Sequence, residues 1–287
     1  MKLYRTTQGF FVEQNNRFSP LAADGLDELL SAASPQDLLS RAASAESVSS
    51  LPGTPLPIVQ NQEIWAAGVT YYRSRNARME ESKDAGGGDF YDRVYAAERP
   101  ELFFKSPASR ALGPGSPVRI RKDAKWSVPE PELTLVINSA GKIVGYTVGN
   151  DMSSRDIEGE NPLYLPQAKV YNGSCAVGPC ILFSAEPLAS TTGIRLEISR
   201  GGKVAFEDST TLASLKRDPK ELAEYLYREL DFPHGALLMT GTGIVPGSSF
   251  TLEVGDEIAI SIDGIGTLKN VVEVRPQTPS PSGRGPG

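Results

Sequence analysis

The sequence has few of the side chains with which most enzymes carry out acid–base or redox chemistry. Its 287 residues include one histidine, His234, and two cysteines, Cys175 and Cys180. Histidine is the usual general acid or base because its pKa lies near neutrality, but His234 stands in a turn-like Phe-Pro-His-Gly segment. We therefore expect proton transfer to depend on lysine, glutamate, aspartate, tyrosine or metal-bound water. The cysteines are expected to be small buried residues of a reducing compartment, without a disulfide or metal role.

Other absences narrow the class of protein. Lysine and arginine number 29 against 35 aspartates and glutamates, and the net charge of −6 argues against a nucleic-acid surface. No apolar run approaches the length of a membrane span, and the first residues, Met-Lys-Leu-Tyr-Arg, lack the apolar core of a signal peptide. Neither glycine-rich run matches a nucleotide-binding loop. The sequence therefore predicts a cytoplasmic protein without a nucleic-acid or membrane partner.

The distribution of strand and helix signals predicts a strand-rich α+β fold. From Leu102 onward, short apolar runs alternate with Gly/Pro turns, and helices are predicted only near 153–158 and 215–230. Residues 1–60 are expected to form a small N-terminal α/β domain and linker, residues 61–275 the main domain, and residues 276–287 a disordered tail. The charged segment 72–99 is interpreted as a mobile lid or as an ordinary surface loop.

A predicted β-hairpin brings three acidic residues together. Residues 132–137 and 142–148 have strand-like sequences, and Asn138-Ser139-Ala140-Gly141 suits the turn between them. If Ile137 faces Lys142, then Gly149 lies opposite Glu130. Because side chains alternate along a strand, this register places three carboxylates on one face: Glu130, Glu132 and Asp151.

These three carboxylates form a candidate site for a hard cation. Clustered carboxylates repel one another and need a counter-charge to stay ionised together. Oxygen donors suit Mg²⁺, Mn²⁺ or Ca²⁺, and three protein ligands leave positions open for water or substrate. The alternative interpretation is that Glu130 and Glu132 are solvated strand residues and that Asp151 caps the following helix.

Two lysines and a second acid extend the list of candidates. Lys169 is the only ionisable group between Pro162 and Ser184 apart from tyrosines and cysteines, so it is a candidate base or a lysine with its ammonium at the surface. Glu101 and Lys105 flank a predicted strand. Thr240-Gly241-Thr242-Gly243 offers hydroxyl and backbone N–H groups for a carboxylate, or is a plain turn.

Six motifs in a fixed order resemble the fumarylacetoacetate hydrolase superfamily over roughly residues 64–273. They are G-V-T-Y near 68–71, P-E-L-F-F-K-S at 100–106, E-P-E-L at 130–133, G-N-D-M-S-S-R-D at 149–156, P-Q-A-K at 166–169 and T-G-T-G at 240–243. The stretch E-N-P-L-Y-L-P-Q at 160–167 resembles in particular the branch that dehydrates 2-keto-3-deoxy sugar acids such as the arabinonate. The resemblance implies a β-roll-like catalytic domain with a smaller N-terminal domain, assembled as a homodimer or homotetramer.

The resemblance also implies roles for individual residues. Mg²⁺ would be held by Glu130, Glu132 and Asp151, and Mn²⁺ or Ca²⁺ are alternatives. Lys169 would be the active-site lysine and Glu101 a second acid or base. The expected substrate-binding residues are Thr242, Gln167, Arg73, Ser74, Arg75 and Lys105.

One departure from the family pattern indicates the reaction. Hydrolytic members carry a His and a Glu on the lid, spaced H-x-x-E, whereas the matching residues 71–76 here contain no histidine. The sequence therefore favours proton abstraction: a Mg²⁺-dependent dehydratase that converts a 2-keto-3-deoxypentonate to 2,5-dioxopentanoate. The alternatives are a hydrolase of acylpyruvates or fumarylpyruvate or an oxaloacetate decarboxylase of the same superfamily, and a non-catalytic protein that binds oxo-acids.

Overall fold

The computed structural model describes residues 1–43, 46–71, 95–184 and 186–276, and within these ranges β-strands dominate. The strands are β1 (Lys2–Thr6), β2 (Gly9–Gln14), β3 (Arg17–Pro20), β4 (Glu63–Gly68), β5 (Glu101–Pro107), β6 (Val118–Ile120), β7 (Ser127–Val128), β8 (Pro131–Ile137), β9 (Ile143–Asp151), β10 (Ser153–Ser154), β11 (Cys175–Phe183), β12 (Gly193–Arg200), β13 (Lys203–Thr211), β14 (Ala236–Met239), β15 (Glu257–Ile262) and β16 (Gly266–Val274). The α-helices are α1 (Leu26–Ser31), α2 (Pro35–Ala43), α3 (Arg155–Glu160), α4 (Leu165–Lys169) and α5 (Pro219–Tyr227). Three short 3₁₀ turns span Ala108–Arg110, Pro162–Tyr164 and Leu212–Ser214.

Two packed sheets form the body of the fold. A nine-stranded sheet has the order β3-β2-β1-β11-β9-β8-β14-β4-β5, and a five-stranded sheet has the order β13-β12-β15-β16-β6. Leu133 and Leu135 of β8 join the apolar cluster of the five-stranded sheet, whereas Val136 joins the cluster that contains α1 and α2. Strand β8 is therefore buried on both faces, as its uniformly buried residues indicate.

The N-terminal strands continue the central sheet. Strand β1 pairs with β11 through Lys2 opposite Leu182 and Leu3 opposite Ile181, and β2 and β3 follow by hairpins. Helices α1 and α2 cover this part through buried leucines such as Leu29 and Leu39. The domain boundary expected near residue 60 stays a prediction.

The predicted register of the β8–β9 hairpin was wrong by two residues. Gly149 lies opposite Glu132 instead of Glu130, and the Asp151 N–H donates to the carbonyl of Glu130 at 3.0 Å. A slip of one residue would have reversed the face of every side chain, but a slip of two preserves it. Glu130, Glu132 and Asp151 consequently still share one face of the sheet.

The slip arises from a wider turn than the sequence suggested. The side-chain Oδ1 of Asn138 accepts hydrogen bonds from the N–H groups of Ala140 and Lys142, at 3.1 and 2.9 Å. The Asn138 N–H also donates to the carbonyl of Lys142, which draws Lys142 into the turn. A register irregularity between Val136 and Ile137 takes up the remaining offset.

The helices differ from the prediction at positions that matter for the site. Helix α3 starts at Arg155 and not at residue 153, because Ser153 and Ser154 are still extended and pair with β7. Helix α5 is shorter than predicted: it begins at Pro219 and is capped by Asp218, which accepts from the N–H of Lys220 at 2.9 Å. The short helix α4, which ends with Lys169, was not predicted.

Candidate metal centre and active site

The three predicted carboxylates lie together at one end of the central sheet. Glu130 precedes β8, Glu132 is its second residue and Asp151 ends β9. All three side chains are buried, and one carboxylate oxygen from each lies within 4.8 Å of the others. The interpretation of Glu130 and Glu132 as solvated strand residues is therefore wrong.

Lys169 contacts two carboxylates of this cluster. Its Nζ donates to Glu130 Oε2 at 2.6 Å, to Asp151 Oδ2 at 3.1 Å and to Ser153 Oγ at 2.6 Å. The side chain is 1% exposed, so the alternative of a lysine with a solvated ammonium is wrong. Lys169 is the last residue of α4, and its side chain reaches the carboxylates from there.

Lys105 is a second fully buried lysine, on β5. Its Nζ pairs with Asp151 Oδ1 and donates to the backbone carbonyls of Met152 at 3.1 Å and Lys169 at 2.5 Å. These contacts join β5, the end of β9 and α4. Lys105 thus lies against the backbone that carries Asp151 and Lys169, outside the residues that line the central cavity.

Sequence reasoning did not single out Arg155 and Glu158 of α3. Arg155 Nη2 contacts Glu130 Oε1 at 2.6 Å, and Glu158 lies 3.9 Å from Lys169 Nζ and 4.0 Å from Arg155 Nη1. Both side chains are 1% exposed. Their spacing of three residues at the start of a helix placed them on one face, and this was the available signal.

Glu132 differs from the other carboxylates because no cation contacts it within the described part of the chain. It accepts one hydrogen bond, from the N–H of Gly241 at 2.6 Å. Burial raises the pKa of Glu132 well above its ordinary value, and the charges of Asp151 and Glu130 raise it further. Gly241 has φ +90°, and a Cβ there would collide with Thr70 Oγ1, so glycine is needed to present this N–H.

The buried charges of the cluster do not balance, and the imbalance favours the binding of a cation. In the described ranges, four buried carboxylates (Glu130, Glu132, Asp151 and Glu158) face three buried cations (Lys105, Arg155 and Lys169), so the fully ionised cluster has an excess negative charge. A buried charge without a counter-charge is unfavourable. Three carboxylate oxygens within 4.8 Å, on residues from two strand ends, fit a hard divalent cation with open coordination positions.

A small cavity opens onto the cluster. Its free space is about 10 Å³, roughly the room that one water molecule needs. The lining residues come from the ends of four strands and from α3, α4 and the segment after β14: Ala67, Gly68, Val69, Phe103, Glu130, Glu132, Asp151, Arg155, Lys169, Gly241 and Thr242. Thr242 is thus one of the residues that line the cavity, and its role in substrate binding stays a prediction.

Glu101 lies beside this cavity, opposite Gly68 in the β4–β5 pairing. A Cβ at residue 68 would overlap the Glu101 carboxylate, so glycine allows that carboxylate to lie directly on the β4 backbone. Glu101 Oε2 is buried. Glu101 is thus next to Gly68, one of the residues that line the cavity.

Gln167 and His234 are not among the residues that line the cavity. Gln167 is exposed on α4, and its carbonyl accepts from Arg121 Nη1 at 3.1 Å. His234 is half exposed at the opposite end of β14, 3.5 Å from Asp27, in agreement with a loop role. The expected substrate-binding residues 73–75, and residues 72–94 of the expected lid, lie outside the described residues, as do residues 277–287 of the expected tail.

The two cysteines are buried free thiols, as predicted. Cys175 pairs with Asp151 across β11 and β9, and burial raises the pKa of its thiol to about 12. The neutral thiol therefore adds no charge to the carboxylate cluster.

Comparison with known proteins identifies the family. The family described as "Fumarylacetoacetate (FAA) hydrolase C-terminal" matches residues 64–273, and the chain belongs to it. The chain is 49% identical over 216 residues to "Probable 2-keto-3-deoxyxylonate dehydratase" of Haloferax volcanii, which covers 75% of this chain and 73% of that protein. It is 44% identical over 215 residues to "2-dehydro-3-deoxy-D-arabinonate dehydratase" of Saccharolobus solfataricus, covering 74% and 72%. The family prediction is confirmed.

A solved structure confirms the fold. The chain matches "2-keto-3-deoxy-D-arabinonate dehydratase complexed with magnesium and 2,5-dioxopentanoate" with a TM-score of 0.82 and 34% identity, over 96% of this chain and 100% of that one. The predicted strand-rich α+β fold of the fumarylacetoacetate hydrolase type is therefore correct. Within the described residues, none of the helices has the length and apolar character needed to cross a membrane.

Proposed function

We propose that this member of the fumarylacetoacetate hydrolase family is a Mg²⁺-dependent dehydratase that converts a 2-keto-3-deoxypentonate into 2,5-dioxopentanoate. One observation carries the proposal. A buried three-carboxylate site lies in contact with a buried lysine, in a chain that has the fold of a dehydratase solved with magnesium and 2,5-dioxopentanoate. The named dehydratases among its relatives support the same reaction class.

The proposed metal ligands are Glu130, Glu132 and Asp151. When bound there, Mg²⁺ supplies a Lewis acid that polarises the C2 oxo group and so acidifies the C3 hydrogens. Glu132 has no cation in direct contact within the described residues, and it would give up its proton when the ion binds. Mn²⁺ or Ca²⁺ suit the same all-oxygen donor set.

Lys169 is the proposed base. Its Nζ shares Glu130 and Asp151 with the proposed metal site, and a positive charge nearby makes an ammonium group lose its proton more readily. The neutral amine accepts a proton from C3, and the electron pair of the C–H bond moves into the C2 carbonyl system. Ser153 Oγ, at 2.6 Å, keeps the amine in place during the transfer.

Glu101 is the proposed acid on the other side of the cavity. It donates a proton to the C4 hydroxyl, the C4–O bond breaks and water leaves as the C3–C4 double bond forms. A hydrogen shift from C5 to C3 then gives the enol with a C4–C5 double bond, and transfer of its hydroxyl proton to C4 gives the C5 aldehyde, so the net change is the loss of one water. Thr242, at the cavity wall, holds the substrate carboxylate.

Lys105 and Arg155 are proposed as positioning residues. Lys105 fixes Asp151 and the backbone of Lys169, and Arg155 fixes Glu130. The exposed Gln167 and residues 73–75 remain proposed substrate contacts. The protein is further proposed to act in the cytoplasm on a small 2-oxo acid, as a homodimer or homotetramer.

Proton NMR tests the reaction directly. Purified protein is mixed with Mg²⁺ and racemic 2-keto-3-deoxypentonate, with and without EDTA, and the spectrum is followed for an aldehyde signal. We expect the signal to grow with Mg²⁺ and to be absent with EDTA. Lys203→Ala, which removes an exposed lysine of β13, serves as the control for handling of the protein.

A second arm distinguishes the rival reactions. An acylpyruvate and oxaloacetate are each offered under the same conditions. Cleavage of the acylpyruvate or decarboxylation of oxaloacetate, without an aldehyde from the pentonate, would replace the dehydratase proposal. Binding of a 2-oxo acid without any turnover would indicate the non-catalytic alternative.

A further inference from the structure

A second cavity lies away from the carboxylate cluster, between β6, the segment after it and the turn that follows α4. Its volume is about 340 Å³, within the lower range of small-molecule sites. We call it the basic pocket, and it is lined by Arg119, Ile120, Arg121, Lys122, Asp123, Tyr171, Asn172 and Arg275. It shares no lining residue with the cavity at the metal centre.

The basic pocket concentrates positive charge in an acidic protein. Four of its lining residues are cationic and one, Asp123, is anionic, whereas the whole chain has a net charge of −6. Asp123 pairs with Arg121 through two contacts, at 2.8 and 2.5 Å. The remaining three cations therefore set the sign of the potential inside the pocket.

Arg119 is built into the wall of this pocket. Its backbone N–H donates to the carbonyl of Gly173 at 2.9 Å, and its own carbonyl accepts from the Tyr171 hydroxyl at 3.1 Å. A Cβ at Gly173 would lie 2.7 to 2.9 Å from the side-chain carbons of Arg119, so glycine makes room for the arginine stem.

The guanidinium of Arg119 has a donor to spare. Its Nε is buried and makes no hydrogen bond to the described residues. Buried donors on charged groups are normally satisfied, so this N–H is an exception. A guanidinium presents its N–H groups in a planar fork that matches the oxygens of phosphate or carboxylate.

We propose that the basic pocket binds a small organic anion through a phosphate or carboxylate group. Arg119, Lys122 and Arg275 would provide the charge. The ring of Tyr171, with the Arg121 guanidinium 5.7 Å from its centre, and the side chain of Ile120 offer an apolar wall for the body of such a ligand.

The pocket is joined to the candidate active site by α4. Arg121 Nη1 donates to the carbonyl of Gln167 in that helix, and Tyr171 follows Lys169 by two residues. An anion bound in the basic pocket would therefore be connected to Lys169, the proposed base, through Arg121 and helix α4. The site itself does not depend on the dehydratase assignment.

Isothermal titration calorimetry with inorganic phosphate and, separately, malonate tests the proposal. Full-length protein is titrated at constant ionic strength with Mg²⁺ present, and again after its metal has been removed with EDTA and the EDTA dialysed away, so that no Mg²⁺ at the carboxylate cavity can bind an anion. We expect one saturable site in wild type and a Kd about tenfold higher or more in Arg119→Gln, because a charged donor pair is lost. Arg195→Gln, which removes an exposed arginine of β12, should leave Kd within twofold.

Comparison of phosphate with malonate shows which chemical class of anion the basic pocket binds. Variant-sensitive binding of phosphate alone would assign the pocket to phosphorylated compounds, and of malonate alone to carboxylates. The proposal is overturned if neither anion gives a saturable heat, or if Arg119→Gln and Arg195→Gln weaken binding equally.

A wild-type measurement covers the case in which Arg119→Gln does not fold. Arginines are modified with phenylglyoxal with and without the bound anion, and the modified peptides are identified by mass spectrometry. Protection of Arg119 or Arg275 but not Arg195 supports the site. Equal modification with and without the anion contradicts it.

Discussion

The two ends of the β8–β9 hairpin are stabilised in different ways. At the turn, neutral hydrogen bonds satisfy the chain: Asn138 bonds to Ala140 and Lys142, and the Tyr227 hydroxyl donates to the Asn138 carbonyl at 3.0 Å. At the open end, buried charges face one another, and Glu132 has a raised pKa and no cationic partner among the described residues. The same two strands thus end in a turn that satisfies its own hydrogen bonds and in a cluster whose buried carboxylates outnumber its buried cations in the described ranges.

In this hairpin, the turn contributes to stability and the open end contributes to function. A turn closed by its own side chain needs nothing from outside the fold. Buried carboxylates with an excess negative charge need a cation, and that need makes them a metal site. Changes at the turn are therefore expected to affect folding, and changes at the open end to affect catalysis and metal binding.

The largest expected effect comes from Lys169→Ala. Loss of the proposed base should lower kcat by about 10³-fold or more while Mg²⁺ still binds, because the three carboxylates remain. Turnover is measured by the aldehyde NMR signal and metal binding by calorimetry, with Lys203→Ala as the control. Turnover near the wild-type rate in Lys169→Ala would remove the lysine from the mechanism.

Glu132→Gln should raise the Mg²⁺ requirement. The variant loses a charged ligand but keeps the shape of the side chain, so we expect about 10- to 100-fold more Mg²⁺ for half-maximal activity. The control is Glu207→Gln, an exposed glutamate of β13. An unchanged metal titration would exclude Glu132 as a ligand.

At the turn, Asn138→Ala should lower the stability of the protein and leave its Mg²⁺ requirement unchanged. Two hydrogen bonds to backbone N–H groups are lost, and we expect the free energy of unfolding to fall by about 1–3 kcal/mol. Urea unfolding measures the loss, and activity assays on the folded variant should give the wild-type Mg²⁺ requirement. A changed metal requirement would mean that the two ends of the hairpin are coupled.

The smallest effect is a pH dependence of the metal-free protein. Because the folded pKa of Glu132 is raised, the native state holds a proton that the unfolded chain has lost above about pH 4.3. The stability of the metal-free protein should therefore fall as pH rises from that value to the folded pKa, by at most about 1.4 kcal/mol per pH unit. Thermal unfolding in EDTA at several pH values measures the slope, which Glu132→Gln should reduce. An identical slope in wild type and variant would show that Glu132 does not titrate there.

The sequence correctly predicted which residues share a face of the β8–β9 hairpin, because the alternation of side chains along a strand decides this. Glu130, Glu132 and Asp151 share a face in spite of the two-residue error in register, because an even slip preserves the face. The error itself came from Asn138, whose side chain bonds to Lys142 and widens the turn, a contact that turn statistics do not specify.

The rest of the site depends on tertiary packing. Arg155 and Glu158 belong to a helix whose contact with Glu130 and Lys169 is set by the β7–β10 pairing before it. Lys169 sits in a short helix that tertiary contacts stabilise, since isolated helices of one turn are unstable. The contacts of Arg155, Glu158 and Lys169 in the site therefore depend on the tertiary structure.

Anomalous diffraction from crystals soaked in Mn²⁺ is the most direct test of the central claim, that the three carboxylates form a metal site. We predict one strong peak about 2 Å from an oxygen of each of Glu130, Glu132 and Asp151. A peak that excludes Glu132, or the absence of a peak at this end of the sheet, would contradict the account.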